Sequence, residues 1–263
     1  MRVFVTGVGL AGPGLNGWQT SLPVLRGVLP YCAVPTIVAA SDLLPAAERR
    51  RTGVSVRLAL AVGSEALSNA GCDVAASVFA SSSGDGDNLH EICETLASAE
   101  RTLSPTRFHN SVHNAPAGYW SIATRSRESS TSLCGHDGSF GAGLLEAAAQ
   151  VMAGNVPVVL IAHDNPYPEP LLAARPTTGC FGVALVLTKA RTGKSTAVLD
   201  VEFMPDGSRA TGMDEPALET VRVGNPAARS LPLLAALARN SACRLTIDCG
   251  VDAHLEIEVA PCA

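Results

Sequence analysis

The chain has 263 residues, of which 47% are hydrophobic, 16% charged and only 4% aromatic. That length suits one large domain or two small ones, buries enough surface to fold without staples, and lacks the low hydrophobicity and high charge of a disordered chain. The net charge is −5 and the only basic run is Arg49-Arg50-Arg51, so there is no concentrated basic face and nucleic acid is a poor candidate partner. The low charge fits a protein that buries surface in an oligomer as well as in its own core.

Along the chain, Arg2–Val8 reads as a β-branched strand running into a Gly/Pro loop, Gly9–Gly17. Segment 18–50 reads as irregular. Val56–Asn69 repeats apolar residues at helical spacing and stops at Gly71. Ala75–Ala80 is a short strand, followed by the polar loop Ser81–Asp87. Asn88–Glu100 reads as a helix with Asn88 as N-cap and Glu91 three residues on. Ser111–Thr124 is expected to be a buried helix, Ser129–Leu133 a strand, Cys134–Gly138 a sharp turn, and Ser139–Ala153 a small-residue helix.

Val156–Ala162 and Phe181–Leu187 are continuous apolar runs, the pattern of strands buried on both faces. After Lys189 come a strand at Ala197–Phe203, a Gly/Asp-rich stretch, a helix at Ser230–Arg239, and strands at Arg244–Asp248 and His254–Val259. Strands alternating with helices predict a layered α/β architecture.

Eight cysteines stand at 32, 72, 93, 134, 180, 243, 249 and 262, none in CxxC spacing, so no zinc site is expected. With no signal peptide in MRVFVTGVG and no apolar run near the ~18 residues that span a bilayer, the expectation is a cytoplasmic protein without a membrane span. Its cysteines are then reduced and mostly buried.

Three motifs carry chemistry. Gly7-Val8-Gly9-Leu10-Ala11-Gly12 matches GxGxxG after a strand, but Pro13 and Gly14 follow and the first acidic residue is Asp42. A dinucleotide site needs a helix start there and an acid about 20 residues on, so a glycine turn is the better reading and no cofactor is expected. In Phe108-His109-Asn110-Ser111-Val112-His113-Asn114 the two histidines, four apart, could share a helix face. With no third ligand, a buried hydrogen-bonded network or capping by Asn110 is favoured over a metal.

The third motif is Ser130-Thr131-Ser132-Leu133-Cys134-Gly135-His136-Asp137-Gly138-Ser139-Phe140, a strand, tight turn and helix with the form of a nucleophile elbow. A thiolate at Cys134 would be stabilised there, with His136 close by. A small packed cysteine is the equal alternative.

The order of these segments resembles the β-ketoacyl synthases. RVFVTGVGLAGPGLNGW resembles their first strand and loop, and residues 56–71 their first long helix. FHNSVHNAPAGYWSIAT resembles the helix before the active-site strand, and STSLCGHDGSFGAGLLEAA the STACA(A/S)G strand and elbow. VPVVLIAHD and CFGVALVLTKA resemble later strands. Ser130-Thr131-Ser132 matches the residues before the family's nucleophilic cysteine, which places Leu133 at the nucleophile position and Cys134 one residue later. Leucine cannot form the acyl thioester on which the condensation depends. The family's HGT-type histidine loop and its Gly-rich Phe loop have no counterpart in 190–263, where His254 is the only histidine.

The resemblance implies a thiolase-like layered α/β/α/β/α fold with a truncated second half. Residues 1–190 would form a ketosynthase-like N-terminal half, and residues 191–263 a reduced C-terminal half packed on the same core. The segment NPAARSLPLLAALA resembles a short, chain-length-factor-like subfamily from bacterial aryl polyene pigment clusters. That implies a chain not catalytic on its own, with no cofactor or metal. It would pair as a heterodimer with a full-length β-ketoacyl synthase, shape the acyl tunnel, and work with an acyl carrier protein. Residues implied at the interface or tunnel are Asn110, Asn114, Tyr119, Trp120, Ser130, Thr131, Ser132, Leu133 and Phe140. The alternatives are a residual acyltransferase or thioesterase using Cys134 and His136, and a non-enzymatic homodimeric scaffold for acyl carrier proteins.

Overall fold

Strand β1 (Arg2–Gly12) is four residues longer than its sequence pattern predicts, and its glycines explain why. A Cβ on Gly7 would lie 2.1 Å from the Ala66 carbonyl oxygen, and one on Gly9 would lie 1.9 Å from that of Val62. Both carbonyls belong to helix α3 (Val54–Ala70), which lies directly on the strand. These glycines serve close helix–strand approach within a continuing strand, not a turn. Helix α3 ends on Gly71 in the left-handed conformation, φ 61°, as expected.

The computed structural model describes residues 1–38, 42–205 and 208–262. Residues 39–41 of the segment read as irregular, and Asp206 and Gly207 of the Gly/Asp-rich stretch, lie outside the described residues.

Strand β2 (Leu15–Asn16) pairs back on β1, and helices α1 (Trp18–Leu25) and α2 (Ala46–Arg49) interrupt the segment expected to be irregular. Strand β3 (Ala76–Ala80) leads to α4 (Gly86–Ala97), whose N-cap is Asp85 rather than Asn88. The Asp85 carboxylate accepts the Asn88 N–H at 3.1 Å. The helix expected over Ser111–Thr124 starts only at Ala115, as α6 (Ala115–Thr124), and a separate helix not expected from the sequence, α5 (Pro105–Asn110), precedes it. Pro116 suits the first turn of a helix and cannot continue one from α5, which fixes the break.

The remaining elements are β4 (Ser130–Leu133), a 3₁₀ turn at His136–Gly138, α7 (Ser139–Ala153), β5 (Val158–Asp164), α8 (Leu171–Ala174), β6 (Phe181–Thr188) and β7 (Ala197–Met204). They are followed by α9 (Pro216–Gly224), a 3₁₀ turn at Ala227–Ser230, α10 (Leu231–Arg239), β8 (Cys243–Asp248) and β9 (His254–Pro261).

The strands form one mixed sheet in the order β4-β3-β5-β6-β1-β7-β9-β8. β3 runs parallel to β4 and β5, and the other pairings are antiparallel. β1 joins the two halves of the sheet, pairing with β6 over Phe4–Ala11 and with β7 over Arg2–Val5. Around β3, β5, β6 and β1 both faces are covered. Helices α3 and α6 pack one core there with Phe79, Val159 and Ile161, and α7 and α10 pack the other with Val78, Leu160 and Leu185.

The β7–β9–β8 region turns Leu199, Val201, Ile247 and Ile257 into the second core. Its other face carries Asp200, Glu202, Arg244 and Glu258, with Arg2 paired to Asp200 at 2.8 Å and Arg244 paired to Glu258. No helix covers that face among the described residues. The layered α/β arrangement is thus present as a single mixed sheet, covered by helices on both faces at its centre and charged and solvated on one face at its β7–β9–β8 end.

The eight cysteines are free, and the expectation that most are buried is not met. Cys32, Cys93, Cys134 and Cys243 are exposed and the other four half-buried.

Candidate functional site

β3, β4 and β5 run parallel, so their carboxyl ends open on one side of the sheet, where α/β folds place their ligands. The loops leaving them are Ser81–Asp85, Cys134–Gly138 and the chain after Asp164. β4 is the edge strand of the sheet.

Leu133 is the last residue of β4 and packs, half-buried, against the α7-side core. Cys134 is exposed, and its thiol donates to the Ser82 carbonyl at 3.4 Å. His136 takes a left-handed φ of 52° and points to Asp137, Nδ1 to Oδ1 3.7 Å. No hydrogen bond joins Cys134 to His136 among the described residues, so the turn does not assemble a thiol–imidazole pair. Instead Asp137 pairs with Arg175 at 2.9 Å and approaches Arg229 at 3.8 Å. The Ser139 hydroxyl closes the turn, donating to the His136 carbonyl at 2.6 Å and accepting the Gly135 N–H at 3.0 Å.

The first turn of α7 lies under the β8–β9 turn. A Cβ on Gly138 would meet the Gly250 nitrogen at 2.1 Å, and one on Gly141 the Asp248 oxygen at 2.1 Å. The elbow is therefore clamped by ion pairs and covered by backbone.

The residues expected around it divide sharply. Trp120 and Phe140 lie inside the chain's own cores at 2% and 0% exposure. Trp120 meets Phe79 edge-on, and α3 approaches the indole at Gly63, where a Cβ would lie 2.6 Å from the ring. Tyr119 is buried too, its hydroxyl donating to Asn110 Oδ1 at 3.0 Å, while Asn110 Nδ2 donates to the Arg51 carbonyl at 2.8 Å. This is the buried network expected at Asn110. The two histidines do not share a helix face, because α5 ends between them. His109 meets the Tyr119 ring edge-on, and His113 Nε2 lies 3.0 Å from the Ser81 carbonyl oxygen.

On β4, Thr131 faces α7 and accepts from Gln150 Nε2 at 2.9 Å, and the Ser130 hydroxyl accepts from Ser77 at 2.9 Å. Ser130 and Ser132 line a groove of about 500 Å³ with Asn114, Ala117 and Ser121 of α6 and its approach. A second groove of about 470 Å³ runs beside it, with Phe108, Val112 and Ile122 on its walls. These three side chains are 66%, 53% and 47% exposed, a concentration of apolar surface beside an open strand edge.

Sequence reasoning missed the pair that ends β5. Asp164 is 1% exposed and accepts from Ser82 N–H, Ser82 Oγ and Ser81 Oγ at 2.8, 2.9 and 3.1 Å. Burial outweighs these donors and pushes its carboxyl up to about 6. Neighbouring His163 is equally buried, and burial, aided by His113, lowers its imidazole to about 4. Both sit in a run, VPVVLIAHD, that reads as apolar strand. The only signal was that two ionisable residues end it.

Residues 29–248 match the family described as the β-ketoacyl synthase N-terminal domain. No curated protein matches the sequence. Among solved structures, the chain is similar to one in the complex of a ketosynthase (ApeO) with its chain length factor (ApeC) from Xenorhabdus doucetiae. That match has TM-score 0.75 and 23% identity over 98% of this chain and 99% of that one. It is also similar to a chain of the ishigamide ketosynthase/chain length factor, TM-score 0.73 and 13% identity over 100% of both. A β-ketoacyl synthase from Burkholderia phymatum STM815 matches with TM-score 0.60 and 16% identity over 90% of this chain and 70% of that one. At these identities the likeness shows the thiolase-like ketosynthase fold.

Proposed function

This chain belongs to the β-ketoacyl synthase family, and from that premise we propose that it is a non-catalytic, chain-length-factor-like partner of a full-length β-ketoacyl synthase. The observation that carries the reading is the juxtaposition at β4. The strand ends on Leu133, which the order of motifs aligns with the family's nucleophile, and its open edge lies beside the exposed Phe108, Val112 and Ile122. A leucine cannot carry an acyl group, whereas an unpaired strand edge flanked by apolar side chains supplies backbone donors and hydrophobic area to a second subunit.

The chains matched in the two ketosynthase/chain length factor complexes align with this one almost end to end, which supports the same reading.

In this proposal residues 1–190 supply the partner edge and residues 191–263 are a reduced C-terminal half. Asn114, Ser130 and Ser132 face the partner, and Leu133 closes the end of the strand. Tyr119, Trp120 and Phe140 support the interface from within the cores, so the walls that limit the acyl chain fall to Phe108, Val112 and Ile122. The acyl chain arrives on an acyl carrier protein, in an aryl polyene type of pathway in the cytoplasm. An acyltransferase or thioesterase built on Cys134 is disfavoured, because the thiol contacts a carbonyl and the imidazole a carboxylate.

Co-expression with the full-length ketosynthase of its gene neighbourhood tests the proposal. The expected result is a stable 1:1 complex whose products lengthen or shorten when Phe108 or Val112 is changed. No complex under any condition overturns it, and unchanged products favour a scaffold.

A further inference from the structure

Asp164 ends β5 on the face of the sheet that carries Leu160 and Ala162, toward the α7 core. Its Oδ1 takes all three donors from Ser81 and Ser82, while Oδ2 is buried without a hydrogen-bond partner among the described residues. Those two serines are a junction. The Ser81 N–H donates to the Leu133 carbonyl at the end of β4 at 3.3 Å. The Ser82 carbonyl accepts the Cys134 thiol, and the Ser81 carbonyl lies against His113 just before α6. One buried carboxylate thus fixes the two residues to which both the end of the open strand and the approach to its flanking helix are tied.

We propose that Asp164 is the positioning residue of the partner-facing edge, and that ionisation of its carboxylate sets how firmly that edge is held. The inference rests on the partner reading above for what the edge binds, but not for how it is held.

Few charges face this carboxylate. Arg175, beyond the end of α8, is the cation that acts on it, and Arg175 is itself paired with Asp137. The neutral Asn225 carboxamide donates to the Asp164 backbone carbonyl at 3.3 Å. His163 points to the opposite face of β5, where the titratable group that acts on it is His113. Burial outweighs the bonds from Ser81 and Ser82 and holds the carboxyl near 6 in the closed edge, above its value once the edge opens to water, so protonation in mild acid favours the closed edge and the buried charge weakens it at neutral pH.

The test has two arms. In the free chain, amide-exchange protection of residues 81–84 and 130–134 is followed from about pH 5 to 7.5, corrected for intrinsic exchange. In the wild type it is expected to rise roughly five- to tenfold as pH falls from 7.5 to 5, and in Asp164→Asn to show no such step. In the complex with the co-expressed full-length ketosynthase, the dissociation constant is expected to fall by up to the same factor over the same pH range.

Ser82→Ala, which removes one donor that favours the ionised form and keeps the carboxyl, should move the step to higher pH, and it carries the test if Asp164→Asn does not fold. A flat exchange profile in the wild-type free chain overturns the proposal whether or not a partner binds. So does a pH-dependent change of protection spread evenly over the chain, which would make Asp164 purely structural. A local step near pH 6 without complex formation supports the positioning role and overturns the partner reading.

Discussion

The carboxylate of Glu65, on α3, accepts the backbone N–H of Trp18 at 2.6 Å, where α1 begins. Its second oxygen accepts the N–H of Leu10 at 2.9 Å. The N-cap of α1 is Gly17, which has no side chain to cap it, so a residue 47 positions away performs the task. Glu65→Ala should orphan both donors and destabilise the chain by about 2–4 kcal/mol in urea denaturation. Glu65→Gln keeps one acceptor and should lose roughly half as much.

The seat of α3 on β1 gives a second prediction. Gly9→Ala places a methyl group on the Val62 carbonyl, and relief requires the helix to move off the sheet. A loss of about 3 kcal/mol or failure to fold is expected, with no nicotinamide or flavin binding in the wild type to be lost. Tight binding of such a cofactor to the wild-type chain would restore the GxGxxG reading.

Phe108→Asp and Ile122→Asp test the exposed groove directly. Phe108 is largely and Ile122 about half in solvent in the free chain, so its stability should change little, about 0.5 kcal/mol for Phe108→Asp and somewhat more for Ile122→Asp. Capture of the full-length ketosynthase should nevertheless be lost, because a charge would then be buried unpaired in the interface. A matched loss of stability and capture would mean the patch is needed for the fold.

Cys134 is accessible, so an alkylating reagent should label it in the free chain. Incubation with acyl carrier protein thioesters should leave it without an adduct by intact mass, and Cys134→Ala should support wild-type product lengths with the ketosynthase. An acyl adduct on Cys134 would instead favour the acyl-handling alternative.

His163 and Asp164 make opposite contributions to the pH dependence of stability. The lowered imidazole gives stability at neutral pH that is lost as pH falls from 6.5 through about 4. The raised carboxyl carries a cost at neutral pH that is relieved as pH falls through 6 toward 3.8. Each change amounts to about 3 kcal/mol, and they nearly cancel. At about pH 5 the pair binds roughly one proton in both states, on the imidazole when unfolded and on the carboxyl when folded. Asp164→Asn removes one side of this balance. Its stability should therefore fall by about 3 kcal/mol relative to wild type between pH 7 and 4, measured by denaturation at each pH.

Much of the architecture was legible because it rests on local patterns. The apolar run at Phe181–Thr188, the 3.6-residue rhythm ending at Gly71 and the small-residue helix Ser139–Ala153 each decide their own conformation. What failed depends on distant partners. Gly7 and Gly9 look like a loop until α3 is laid on them, and α1 is hidden because its cap comes from Glu65. The site divides the same way. The strand ending at Leu133 and the turn after it are local and were legible, whereas the burial of Trp120 and Phe140 and the exposure of Phe108 depend on which helix face meets the sheet. Asp164 was invisible because its importance lies in Ser81 and Ser82, eighty residues earlier.

The double pairing of β1 has a further consequence for synthesis. Its first residues, Arg2–Val5, find their ladder partners at Ala197–Asp200, and the Met1 amino group donates to the Val201 carbonyl at 2.6 Å. β1 therefore waits for β7, far along the chain, before this edge is closed. Such long-range pairing slows folding and leaves an apolar strand exposed to aggregation meanwhile. The nascent chain should accordingly require chaperone protection until β7 emerges.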